Sequence, residues 1–143
     1  MSAGSLPDDV AVIIPARNEA ERIQATVTAA AGLPGVGVVV VVDDGSRDAT
    51  AKAARRAGAV VARHARNRGK SAAMETGADA VRLLDQREQR ERPRHLLFLD
   101  ADLGDTAAQA GPLIDPVLAG RYAPEPLVIR TLDGPVRPLP RPA

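Results

Sequence analysis

Cysteine and tryptophan are missing from this chain, and Phe98 and Tyr122 are its only phenyl-ring residues. Without cysteine there can be no disulfide and no thiolate metal site, which suits a reducing compartment and sets a cytoplasmic expectation. With so few aromatics there is no stacking platform for single-stranded nucleic acid, so the core must be built from Val, Leu, Ile and Ala. Neither charge dominates: 19 Lys and Arg stand against 18 Asp and Glu. No overall field therefore recruits nucleic acid or an anionic membrane. No apolar run reaches the ~20 residues that a membrane-spanning helix needs. The start, "MSAGSLPDDV", has no basic end followed by an apolar stretch, so no signal peptide is expected. At 143 residues the chain is long enough for one domain with a real core.

Four apolar runs rich in β-branched residues punctuate the first hundred residues. They are "VAVIIPA" (Val10 to Ala16), "VGVVVVVDD" (Val36 to Asp44), "AVVARH" (Ala59 to His64) and "HLLFLD" (His95 to Asp100). Continuous rather than alternating apolar runs indicate strands covered on both faces, as in a parallel sheet. Between them lie helical spacings. Ala20, Ile23, Val27 and Ala30 form one stripe, with Asn18 and Glu21 placed like a capping box. Ala53, Ala54 and Ala57 form a narrow second face, and Ala73, Gly77, Ala80, Val81 and Leu84 a clear third. The alternation β-α-β-α-β-α-β-α predicts a doubly wound α/β domain with a mostly parallel sheet, Rossmann-like in class, over residues 1–119.

Two stretches differ from this pattern. "RLLDQREQRERPRH" (Arg82 to His95) mixes charges densely and reads as a solvated helix end and loop. From Gly120 onward lie half of the 12 prolines, so residues 120–143 are expected to be mostly extended and poorly ordered, with "LVIRTL" able to add one edge strand.

Ligands of doubly wound sheets bind outside the carboxyl ends of the strands. The unusual residues fall there: "PARNE", "DDGS", "NRGKS" and "DAD" each follow a strand. In "HLLFLDADLGD", Asp100 and Asp102 are one residue apart, and strand alternation would send both to the same side. Like charges that close need a positive partner. Either both acids cap a turn, or they hold a hard divalent cation, which takes oxygen ligands and shares them with substrate phosphates. In "VVVVVDDGS", Asp43 and Asp44 point to opposite sides, so one faces the cleft; Ser46 could cap the next helix while Asp44 accepts a ligand N–H. In "PARNE", Pro15 is expected to stop the ladder, Asn18 to cap the helix, and Glu19 to lie in its first turn within reach of ribose hydroxyls. "RHARNRGKS" concentrates Arg63, Arg66, Arg68 and Lys70 in a loop before a helix, where Gly69 leaves an anion site or merely a charged surface. His64 reads as a satisfied loop histidine rather than a ligand or base.

Three other classes fit less well. A phosphate-loop NTPase would need glycine where His64 stands, and its loop would follow the first strand. An aspartate-nucleophile phosphatase would continue D-x-D-x-[TV], whereas that last place is Gly104. A dinucleotide-binding domain would carry G-x-G-x-x-G between a strand and a helix, and "GLPGVG" precedes a strand instead.

Together "VIIPARNEAERI", "VVVVDDGSRDAT", "NRGKSAAMETGADA" and "LLFLDADLGD" resemble the family-2 glycosyltransferases, inverting nucleotide-sugar-dependent enzymes of the GT-A fold. The likeness covers about residues 8 to 118, and the four motifs are specific jointly rather than singly. It implies a donor site in which Glu19 contacts ribose or base and Asp44 bonds the base, commonly uracil. Lys70 would lie by the nucleotide or diphosphate, with Arg66 a looser candidate. Asp100 would reach ribose or metal, and Asp102 would be the direct ligand of Mg²⁺ or Mn²⁺. The implied partner is a nucleoside-diphosphate sugar, with the acceptor unknown. An inverting transfer also needs a carboxylate base, which in the family comes from the segment after the D-x-D strand. Here the later acids Asp115, Glu125 and Asp133 sit in no family context, so no catalytic residue is assigned. The chain reads as a shortened donor-binding half, either of a metal-dependent glycosyltransferase or of a nucleotide-binding module without transfer chemistry. An uncovered sheet edge would favour self-association.

Overall fold

The fold was obtained as a computed structural model, which describes residues 9–118, 128–130 and 137–138. Along the chain run β1 (Val10–Ala16), α1 (Ile23–Ala31), β2 (Val36–Asp44), α2 (Thr50–Arg56), β3 (Val60–His64), α3 (Lys70–Arg87) and β4 (His95–Phe98). A stretch of 3₁₀ turns (Ala101–Ala110) leads into α4 (Gly111–Leu118), and the short strands β5 (Val128–Arg130) and β6 (Arg137–Pro138) follow. The sheet order is β3-β2-β1-β4-β5-β6, parallel except for β6. This is the expected doubly wound α/β arrangement. "LVIRTL" does supply a strand, but β5 lies between β4 and β6 rather than at the edge. The remainder of the proline-rich tail lies outside the described residues, as do Glu125, Asp133 and the Asp115 side chain.

The runs of β1 and β2 are buried on both faces because their alternate residues serve two cores, whereas β3, at the edge of the sheet, leaves Val60 exposed. Val10, Val12, Ile14, Val39 and Val41 pack beneath α1, α2 and the 3₁₀ stretch. Ala11, Ile13, Val40, Val42 and Phe98 face the other way, toward Ala73 and Val81 of α3. Gly77 makes the approach of α3 possible: a Cβ there would stand 2.3 Å from Ile13 Cγ2. Contacts that close do not occur between real side chains, so the helix would have to lift off the sheet.

The strand order reverses between β1 and β4, and this switch point opens a crevice at the carboxyl end of the sheet. Pro15 does not stop the ladder as expected; it stays in register opposite Val42. Ile13 O accepts the Leu99 N–H at 3.0 Å, so β1 turns its odd-numbered backbone groups toward β4. Pro15 falls beyond the end of β4 on that side. A residue without an N–H is tolerated at such a strand end, and its ring lines the crevice.

The mixed-charge run is not wholly solvated either. Arg94 is 4% exposed, and its guanidinium donates to Asp85 at 2.7 Å and Glu88 at 2.9 Å, while Arg90 reaches Asp9 at 2.9 Å. These pairs tie the end of α3 to the entries of β4 and β1. Among the described residues no helix is long and apolar enough to cross a membrane.

Candidate functional site

The crevice holds a cleft of about 510 Å³. Its charged lining comes from four strand ends: Arg17 and Glu19 after β1, Asp44 at the end of β2, Lys70 at the start of α3 after β3, and Asp100 and Asp102 after β4. Four of the five residues expected to contact a nucleotide therefore meet in one place, together with both expected metal ligands. Arg66 does not line the cleft; its side chain is exposed, and its backbone packs against the "DDGS" turn.

Asp44 sits on the α3 side of β2, and Asp43 on the other, as alternation requires. Asp43 is fully buried: its Oδ1 accepts the Ser46 N–H at 3.0 Å, and Arg63, which belongs to β3 rather than to the loop, pairs with Oδ2 at 3.3 Å. The Asp44 carboxylate is held from three directions. Oδ1 accepts His64 Nδ1 and the Arg68 N–H, both at 2.8 Å, and Oδ2 accepts the Gly69 N–H at 2.9 Å. Burial pushes its carboxyl up, but the bonds from His64 and the two amides outweigh this, so it titrates below the usual carboxylate range. Oδ2, which accepts the Gly69 N–H alone among the described residues, keeps capacity for a donor in the cleft.

Gly45 lets the loop after β3 come this close. It adopts φ +75°, and a Cβ on it would lie 2.5 Å from the backbone of Arg66 and Asn67. Around it the loops after β1 and β2 interlock. Asn18, at φ +54°, donates its N–H to Ser46 Oγ at 2.8 Å and accepts the Arg47 N–H on Oδ1 at 2.9 Å. Glu19 N–H donates to Thr50 Oγ1 at 2.9 Å, and Thr50 Oγ1 in turn donates to Asp48. The expected caps thus have other work. Asn18 and Glu21 form no capping box, because α1 begins only at Ile23, and Ser46 does not cap α2. Glu19 precedes α1 in a turn instead of lying in its first turn.

Asp100 and Asp102 share the cleft for a reason other than strand alternation. β4 ends at Phe98, and the 3₁₀ turns begin at Ala101. Thr26 of α1, fully buried, fixes this turn: its hydroxyl donates to Ala101 O at 2.8 Å and accepts the Gly104 N–H at 2.7 Å. Lys70 Nζ donates to Asp100 Oδ1 at 2.8 Å. Asp102 is exposed and makes no side-chain bond among the described residues.

Four carboxylates against two basic side chains leave the lining with excess negative charge. A diphosphate entering alone would be repelled; with a divalent cation it would not. Two carboxylates close together provide the oxygen donors that Mg²⁺ or Mn²⁺ prefers, and they leave coordination positions for phosphate and water. Among the described residues no group of three or more potential ligands is assembled, so a cation here would depend on what the substrate brings.

The profile of glycosyl transferase family 2 matches residues 11–124, which include all four strand ends of the cleft. The chain belongs to this family. An uncharacterised protein of Methanocaldococcus jannaschii, MJ1222, is 33% identical over 115 residues, covering 80% of this chain and 44% of that protein. Glucosyl-3-phosphoglycerate synthase of Mycobacterium tuberculosis, solved with Mn²⁺, UDP-glucose and phosphoglyceric acid, superimposes with a TM-score of 0.63 at 25% identity. That match covers 82% of this chain and 42% of the synthase. A mycobacterial protein of known structure gives a TM-score of 0.64 at 26% identity, covering 82% of this chain and 39% of the other. The chain thus spans less than half the length of each of these three proteins.

His64, Thr76 and Thr26 were not singled out by the sequence as parts of the site. The signal for His64 was its place at the end of a strand beside "DDGS", and Thr26 gave none.

Proposed function

We propose that the cleft binds the nucleoside-diphosphate part of a sugar donor together with Mg²⁺ or Mn²⁺, as the donor site of a glycosyl transfer. One observation carries this reading: Glu19, Asp44, Lys70, Asp100 and Asp102 come from four separate strand ends and line a single cleft at the switch point. The family membership supports it, as does the synthase solved with UDP-glucose and Mn²⁺.

In this reading Asp44 Oδ2 accepts an N–H of the base, and Glu19 receives ribose hydroxyls. Lys70, at the amino end of α3, neutralises diphosphate charge alongside the helix dipole. Asp102 and Asp100 would hold the cation, which when bound supplies electrostatic stabilisation for the departing diphosphate. Thr26 keeps the two acids in position, and Pro15 forms part of one wall. No residue is assigned as the acceptor's base.

Calorimetric titration of the chain with UDP, with and without Mn²⁺, tests the donor site. Micromolar binding that requires the cation is the expected result; no binding in either condition would refute it. Transfer assays with UDP-sugars then separate a transferase from a binding module: sugar transfer to any acceptor by the purified chain would exclude the latter.

A further inference from the structure

Asp44 owes its position to a buried relay that the donor-site reading does not use. The His64 ring, 6% exposed, bridges Asp44 Oδ1 through Nδ1 at 2.8 Å and Thr76 Oγ1 through Nε2 at 2.8 Å. An ionised carboxylate only accepts, so Nδ1 carries the proton toward Asp44. In the neutral ring Nε2 is then the acceptor, and the Thr76 hydroxyl donates to it. Thr76 lies on α3 and His64 ends β3, so the ring is clamped between a helix and a strand that both lead into the cleft. The same carboxylate gathers the Arg68 and Gly69 amides, which immediately precede Lys70.

We infer that His64, held by Thr76, is a positioning residue that orients the Asp44 carboxylate toward the base of a bound nucleotide. The inference rests on the donor-site reading of the cleft. Left to itself, a carboxylate at a strand end can rotate about its Cα–Cβ and Cβ–Cγ bonds. With Oδ1 occupied by His64 and Arg68, Oδ2 is the oxygen presented to the cleft. His64 does not itself line the cleft, so its effect on a ligand must pass through Asp44.

Two substitutions separate the ring's two ends. The amide nitrogen of asparagine falls near the position of Nδ1, and that of glutamine near Nε2. The probe is UDP with Mn²⁺, read by calorimetry, with a thermal melt of each variant. His64→Gln should weaken UDP binding roughly tenfold, the size of one lost hydrogen bond to a charged acceptor. His64→Asn should recover most of it. In an Asp44→Ala background His64→Gln should add less than about a twofold change, because its partner is already gone. A purely structural histidine predicts the opposite: similar losses for both replacements, persisting without Asp44. That outcome, or wild-type binding by His64→Gln, overturns the relay. Should the His64 variants fail to fold, Thr76→Val decides. It should stay folded and lose UDP affinity severalfold only while Asp44 is present, and unchanged affinity refutes the relay. A wild-type chain that binds no UDP would instead sink the donor site, and the relay with it.

Discussion

Lys70 Nζ and Asp100 Oδ1 are joined at 2.8 Å across the cleft, one at the first residue of α3 and the other two residues past the end of β4. The lysine side chain is 63% exposed and the aspartate 30%, so the pair contributes little to stability. Its consequence is for ligands. The same ammonium that would serve a diphosphate now occupies an oxygen that would serve a cation. Lys70→Met should therefore move two affinities in opposite directions. Mn²⁺ alone should bind a few times more tightly, because a competing positive charge is gone. UDP in the presence of Mn²⁺ should bind about tenfold more weakly, through loss of one charge-assisted contact. Calorimetry with each ligand measures both, and a change of the same sign in the two would contradict the competition.

Asp102 is the cleanest site for testing the cation. It is exposed and its side chain makes no hydrogen bond or ion pair among the described residues, so its loss should leave the fold unchanged. Asp102→Ala is expected to abolish the Mn²⁺ dependence of UDP binding while the melting temperature stays within about a degree, as for an uninvolved surface position. Persistent Mn²⁺ dependence would remove Asp102 from the site.

Much of this arrangement was readable in advance, and the failures share a cause. Asp43 and Asp44 were separable because β2 is regular to its last residue, where period two still holds. The same rule misled at Asp100 and Asp102, since β4 stops at Phe98 and 3₁₀ turns take over. The two acids share the cleft because Thr26, some seventy-five residues earlier, bonds the turn between them. Asn18 looked like a helix cap because local spacing is all a sequence offers. Its actual partners, Ser46 and Arg47, belong to the neighbouring loop and become neighbours only once β1 and β2 pair. Arg94 reads as solvated because a dense charge run does not say which of its charges fold back on each other; its carboxylate partner, Asp85, is nine residues earlier on α3. Which strand ends meet at the cleft was legible, and the hydrogen bonds that fix their loops were not.

Thr26 accordingly makes a prediction that the D-x-D motif alone would not. Its buried hydroxyl serves Ala101 O, Gly104 N–H and Arg22 O. Thr26→Val keeps the shape but strands the Ala101 carbonyl and the Gly104 amide, at a cost of about 1–3 kcal/mol. Urea unfolding should show that loss, and Thr26→Ser should restore most of it. Mn²⁺-dependent UDP binding should fall as well, because the turn carrying Asp100 and Asp102 is no longer anchored. A valine variant with native stability would show that the turn is held by packing instead.

The three bonds on Asp44 also fix how stability depends on pH. Its carboxyl titrates below the ordinary value in the folded chain, so the folded state binds its proton less readily than the unfolded state. A group of this kind contributes its stabilisation in full above the unfolded value of ~3.9 and loses it as pH falls through the lower folded value. Asp48, lowered by its bond from Thr50, behaves in the same direction, so acid unfolding of the wild type mixes the two. Comparison with Asp44→Asn isolates one of them, since the amide does not titrate. The wild type should exceed the variant in unfolding free energy by a constant margin from neutral pH down to about pH 5. Below pH 4 that margin should shrink steadily as Asp44 takes up its proton. Denaturant melts at half-unit pH steps measure the margin. One that grew on acidification would mean that Asp44 is protonated in the folded chain, which would leave His64 and both loop amides without their common acceptor.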